Sequence, residues 1–135
     1  MARDDTVPLT RADAIAHCDQ AGEYLRAAEH SLEIGDLNAA TGTAIDAGIN
    51  AADAVAGINL GRRWKGAHEQ ASRFVSGAGV DGRDVAKELR RLLPLKTQSQ
   101  YSAARVSLTK AMSSVDAARR AVAIARRVVS RAHPR

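Results

Sequence analysis

Hydrophobic positions recur along most of this chain at spacings of three and four, the period of an α-helix. The pattern is clearest near the C-terminus. There Leu108, Ala111, Val115, Ala118, Val122, Ala125 and Val129 form one unbroken stripe, with Ser107 placed to cap the helix. A second stripe, Ile15, Cys18, Ala21, Leu25, Ala28 and Leu32, predicts a helix from about Arg11 to Ile34. It opens on Thr10-Arg11-Ala12-Asp13, a capping box with Asp in place of the usual Glu. Gly35 and Asp36 follow as stop and N-cap. The first two helices are therefore expected to form an antiparallel hairpin with a very short turn.

The second helix, Leu37 to Leu60, organises the rest. Ala40, Ala44, Ala47, Ala51, Ala54, Val55 and Ile58 keep the helical period with small side chains, so partner helices can approach closely. Gly42, Gly48 and Gly57 each cost roughly 1 kcal/mol against Ala in a helix interior. Packing rather than propensity is expected to hold this helix, at the centre of a bundle. Its other face carries Asp46, Asn50 and Asp53.

Gly61 and Gly66 bracket a break. A short helix is expected from about Ala67 to Ser76, with Ala71, Phe74 and Val75 inward. The run from Ser76 to Gly82 reads as a loop. A further helix starts near Arg83 and carries Val85, Leu89, Leu92 and Leu93. Pro94 either ends it or opens a new turn, and Leu95 to Val106 is helical at first and then turns. Strand-like alternation is absent. The expected architecture is an all-α, four- to five-helix up-down bundle over residues 10–132, with residues 1–9 disordered and 133–135 a frayed end.

Composition sharpens this picture in two ways. At 135 residues the chain makes one domain, and with 3% aromatics its core must be built from Ala, Val, Leu and Ile. The net charge of +5 conceals a gradient. Residues 1–60 carry three Lys/Arg against ten Asp/Glu, residues 61–100 nine against four, and residues 101–135 eight against one. Either the basic half binds an anion, with RNA or an acidic protein as candidates, or the acidic and basic helices neutralise each other within the fold or across a dimer. The candidate anion-binding residues are Arg62, Arg63, Lys65, Arg119, Arg120, Arg126, Arg127 and Arg131. One cysteine, no signal-like segment and no membrane-length apolar run lead to the expectation of a cytoplasmic protein with no membrane partner. The small-residue second helix and the two-sided last helix offer more apolar surface than one small bundle needs, so a homodimer is expected.

The most chemically suggestive segment is Gly61-Arg62-Arg63-Trp64-Lys65-Gly66-Ala67-His68. His titrates near neutrality and serves as general acid or base, and Arg stabilises charge on a phosphate. Trp64 either stacks a base or covers the end of the bundle. His68 is expected to be structural, turned inward onto the second helix where Asp53 can hold its imidazole. Asp46, Asn50 and Asp53 read either as a hard-metal face or as solvated and structural polar groups, the latter preferred. His17 and His30, thirteen residues apart, have no metal spacing and are expected on the surface. Cys18 reads as a small buried apolar residue. With no phosphate-binding glycine loop, zinc pattern or nucleophile elbow, no metal or cofactor is expected.

The order of these pieces resembles the HEPN superfamily, small helical bundles of prokaryotic toxin–antitoxin, defence and RNA-processing systems. The matching pieces are Gly35-Asp36-Leu37 with Ala39-Ala40, Ala51-Ala52-Asp53-Ala54, Gly66-Ala67-His68 with Ala71, Leu95-Lys96 through Tyr101-Ser102, and the last helix with Ala111, Ala118, Ala125 and Val128. They span roughly residues 18–130. The resemblance implies an Arg, four to six residues, then a His as the motif of metal-independent RNA cleavage. Arg63-x4-His68, or Arg62-x5-His68, fits that spacing but lies directly after the second helix. The position nearer the last helix holds Lys96-x4-Tyr101, which departs from the motif at both ends. Tyr is a poor base at neutral pH, whereas Lys still binds phosphate. The resemblance therefore implies a partner- or RNA-binding module lacking efficient catalysis. The alternatives are an active endoribonuclease using Arg63 and His68, and a purely structural or regulatory bundle.

Overall fold

The structure is a computed structural model and describes residues 5–100 and 104–132. Four long helices form its body: α1 (Arg11–Glu33), α2 (Leu37–Leu60), α4 (Gly79–Leu92) and α6 (Leu108–Ala132). Two single-turn helices, α3 (Ala71–Val75) and α5 (Lys96–Gln100), lie between them. The all-α bundle expected from the periodicity is the fold observed. The long helices alternate in direction: Arg11 at the start of α1 meets Ala132 at the end of α6, and Asp81 at the start of α4 meets Arg127 and Arg131. α2 packs against α1, α4 and α6, which makes it the central helix.

The α1–α2 turn lies where the sequence placed it. Thr10 Oγ1 accepts the Asp13 amide at 3.1 Å and opens α1. At the other end Gly35 adopts φ +83°. The Asp36 amide then donates to the Ser31 carbonyl and the Gly35 amide to Leu32, the two bonds of a Schellman stop. Asp36 occupies the N-cap position of α2, but its side chain makes no capping bond. At the head of α6, Ser107 Oγ accepts the Lys110 amide.

The core is built of Ala, Val, Leu and Ile, as the near-absence of aromatics requires. α6 buries a double column, with Ser114, Ala117, Ala121, Ile124 and Val128 beside the predicted stripe, because it packs on α1, α2 and α4 together. Leu108, at the head of that stripe, is exposed. Small residues on α2 let its neighbours close in. A Cβ on Gly48 would stand 2.4 Å from Leu92 Cδ1, so a larger residue there would force the Leu92 side chain to shift. No atom lies within 4 Å of the corresponding position at Gly42.

Two sequence expectations are corrected. Residues 5–9 are ordered: β1 (Thr6–Pro8) pairs antiparallel with β2 (Arg62–Trp64), Val7 opposite Arg63. The Leu9 amide donates to Gly61 O, and the Leu9 side chain lies over Gly57. A three-residue strand has no hydrophobic period to betray it. Second, α4 begins at Gly79, inside the expected loop. Gly82 lies in its first turn because that turn runs against Val75: a Cβ there would approach the Val75 carbonyl oxygen to 2.2 Å. Gly82 permits the close approach of α3 and α4, while Gly79, at φ +81°, makes the turn into α4.

The remaining boundaries are finer adjustments. His68–Gln70 is a 3₁₀ turn leading into α3, and Pro94 lies in a second, Leu93–Leu95, that carries α4 into α5. Tyr101, Ser102 and the segment 133–135 lie outside the described residues. Among the described residues, no helix is long and apolar enough to cross a membrane.

Candidate functional site

The polar face of α2 forms the floor of a cleft. Asp46, Asn50 and Asp53 lie along one side of the helix, and each meets a different partner. Asn50 Nδ2 donates back to the Asp46 carbonyl, so its Oδ1 is free to accept from Nδ1 of His17 on α1 at 2.8 Å. Asp53 faces His17 and Arg63. Burial pushes its carboxyl up to about 6, against the opposing pull of those two groups. Asp46 faces Lys96 and His68. Burial raises its carboxyl too, and Lys96 and then His68 oppose the rise.

The break after α2 supplies one wall. β2 is held in place by β1, and the Lys65 amide donates to Asp5 O. Arg62 turns away from the cleft: its Nε donates to Thr6 Oγ1 at 2.6 Å. Arg63 points into the cleft. Trp64 folds over Gly66, where a Cβ would stand 2.7 Å from the indole, and its Nε1 donates to Ala67 O at 2.8 Å. Its ring also packs on Phe74, centroids 5.7 Å apart. Trp64 is thus a covering residue whose indole N–H is already used.

His68 stands on its 3₁₀ turn against α5. Lys96 Nζ donates to His68 Nδ1 at 2.8 Å, so the ring proton lies on Nε2 and the imidazole is neutral. Burial lowers the His68 pKa first and Lys96 second, while Glu69 and Asp46 oppose them. The inward orientation expected of His68 is present, but the expected Asp53–His68 pair is not. Asp46, two turns earlier on α2, is the α2 carboxylate that acts on the imidazole. β2 and the turn after it carry the chain back along α2, so His68 arrives beside the middle of the helix rather than its end.

Arg63, Lys65, His68 and Asp53 line a common cavity of about 280 Å³, closed below by Ile49, Ala52 and Ala56. The two stretches that compete for one motif in the sequence converge here. Arg63 and His68 share the cavity, and Lys96 holds His68 from behind. Tyr101 lies outside the described residues. His17, expected on the surface, belongs to this polar network, whereas His30 is exposed. Cys18 is buried, as expected, and burial raises its thiol. Among the described residues no group of three His, Cys, Asp or Glu side chains is placed to hold a metal.

The arginines of α6 are arranged differently. Arg119 donates Nε to Glu29 and Nη1 to Asp116, both at 2.8 Å. The Glu29 bond is the first cause of its raised pKa. Arg120 donates to Glu88. Arg127 and Arg131 share Asp81. Partial burial would raise the Asp81 carboxyl, but its bonds from these arginines hold it below the usual range. Arg126 lies over Gly22 of α1. Much of the basic last helix is therefore neutralised within the fold by acids of α1, α4 and α6 itself, the second of the two readings that the charge gradient allows.

The chain matches no protein-family model and no curated protein.

Proposed function

We propose that the protein is a HEPN-like helical module of a prokaryotic toxin–antitoxin or RNA-linked system, and that it binds RNA phosphates in the Arg63–His68–Lys96 cleft without cutting the chain. One observation carries this reading: His68 accepts a hydrogen bond from Lys96 at its only free lone pair. A general base needs that lone pair to take the 2′-hydroxyl proton. The neutral imidazole left over offers only an Nε2–H, which suits a phosphate oxygen. Arg63 and Lys65 add charge at the same mouth, and Lys is a sufficient phosphate ligand.

The cleavage reading is favoured by a different observation, that Arg63 and His68 line one cavity at the motif spacing. The two readings separate in one experiment. The unmodified protein is incubated with single-stranded RNA in a chelator at low salt. Binding is expected, falling about 0.7 log units per log unit of salt for each phosphate contacted, and the RNA is expected to stay intact. Metal-independent cleavage that disappears in a folded His68→Ala variant replaces the binding reading with the ribonuclease.

The module is proposed to pair with itself. Ile34, Leu108 and Met112 are exposed apolar side chains at one end of the bundle, where α1 ends and α6 begins. Sedimentation is expected to show a species of twice the 14.3 kDa chain mass at micromolar concentration. A lone monomer across that range ends this part of the proposal.

A further inference from the structure

A cavity of about 590 Å³ lies away from the cleft, between the C-terminal end of α4 and the first turns of α6. Arg91, Arg120 and Lys110 line it, together with the hydroxyl residues Thr109 and Ser113. Pro94 and Leu95 give it an apolar side. No carboxylate belongs to its lining.

Its construction differs from an ordinary basic surface. Glu88 is a buried residue of α4, 5% exposed, and its Oε1 accepts from Arg91 Nη1 at 2.9 Å and from Arg120 Nε at 3.0 Å. One buried acid therefore fixes two guanidiniums side by side. Each has further N–H donors beyond the one given to Glu88, and each side chain stays half exposed. The Lys110 ammonium makes no hydrogen bond or ion pair among the described residues, nor do the hydroxyls of Thr109 and Ser113. Three cations thus converge on a space with no acid in its lining, and Glu88 stands behind two of them. Asp116, one turn along α6, is paired with Arg119. Arg91, Arg120 and Lys110 with Glu88 carry a net charge of +2, which matches a dianion. The volume lies within the range of small-molecule pockets, and the apolar side suits a short organic substituent.

We infer that this cavity is a binding site for a small phosphate monoester, its phosphoryl oxygens received by Arg91, Arg120 and Lys110 and its ester group laid against Pro94 and Leu95. The fixed guanidiniums supply planar donors for oxygen pairs, and Lys110 supplies a mobile point charge. This site is independent of the cleft and of the RNA-binding reading.

The test is calorimetric titration of the full chain at low salt with glycerol phosphate and, separately, with inorganic phosphate. Saturable binding of both is expected, with the ester at least as tight. Amide resonances of Thr109, Lys110 and Ser113 are expected to shift during the titration. Because Arg120 also holds Glu88, the diagnostic variant is Lys110→Gln, which breaks no internal side-chain contact. It is expected to keep the melting temperature of the free protein and to weaken glycerol phosphate about tenfold, the loss of one charge-assisted bond. The absence of saturable binding overturns the inference. So does binding of inorganic phosphate alone, or ester binding that Lys110→Gln leaves unchanged.

Discussion

Arg119 and Arg63 are guanidiniums on the same small bundle, yet they are committed to different ends. Arg119 lies on an open helix face and spends its donors on Glu29 and Asp116. Arg63 lines a concave cleft and faces Asp53, a carboxylate that burial has made reluctant to ionise. Charge counting makes α6 the basic half of the molecule, but the acids of α1 and α4 are folded onto it. The cleft is poorer in cations, and the acids they face, Asp46 and Asp53, are ones whose ionisation burial disfavours. What matters for recognition is therefore the difference between a cation and the acid it meets, and that quantity appears only after the helices are packed.

The sharpest way to break this comparison is to attack the internal pairing itself. Replacing both Arg91 and Arg120 with Ala leaves Glu88 buried without a counter-ion, and a loss of about 3 kcal/mol is expected in denaturant unfolding. A loss near zero means the buried carboxylate does not need the arginines, and the neutralised-helix account fails.

Asp53 tests the cleft side. Its folded pKa of about 6 lies above the unfolded value of 3.8, so the folded state holds the extra proton between those values. Stability from this group is therefore lost as pH rises through that window and stays lost above it. Asp53→Asn is expected to stabilise the protein at pH 7.5 by up to about 3 kcal/mol and to change little at pH 4. Equal effects at both pH values refute the reluctance assigned to this carboxylate.

Binding gives the direct contrast. Arg63→Gln is expected to weaken RNA about tenfold at low salt, while Arg119→Gln changes it less than about twofold. The reverse order would return the α6 face to the role that its charge suggests. The smallest effect expected is on folding: Arg119→Ala should cost less than about 1 kcal/mol, because both members of its pair with Glu29 are substantially exposed.

The long helices were legible because their signals are local. Gly35 next to Asp36, the Thr10 cap and the heptad-like stripe of α6 need no knowledge of the rest of the chain. The strand pair was hidden because Thr6–Pro8 acquires its conformation from residues 54 to 58 positions away. The start of α4 is hard to read because Gly82, which allows close approach inside the helix, looks in sequence like Gly79, which makes the turn before it. At the site, the Arg63–His68 spacing was readable, and Lys96 stood out only as one end of a second, degenerate motif. That the two segments form one site was not, since the fold, not the spacing, brings α5 against the turn after β2. His17 was within reach: it and Asp53 each lie eighteen residues from Gly35, so a hairpin turning there sets them opposite one another.

The β1–β2 pair gives the cleft an uneven mechanical footing. Its floor belongs to α2, which every other long helix protects, while Arg63 rides on a three-residue strand held by a few hydrogen bonds and by Leu9 resting on Gly57. Short units held this way generally open at lower cost than packed helices. Linkage then works in both directions. Under the proposed phosphate binding, residues around Val7 would set part of the affinity at Arg63, and a phosphate held by Arg63 would slow amide exchange in the strand that carries Val7.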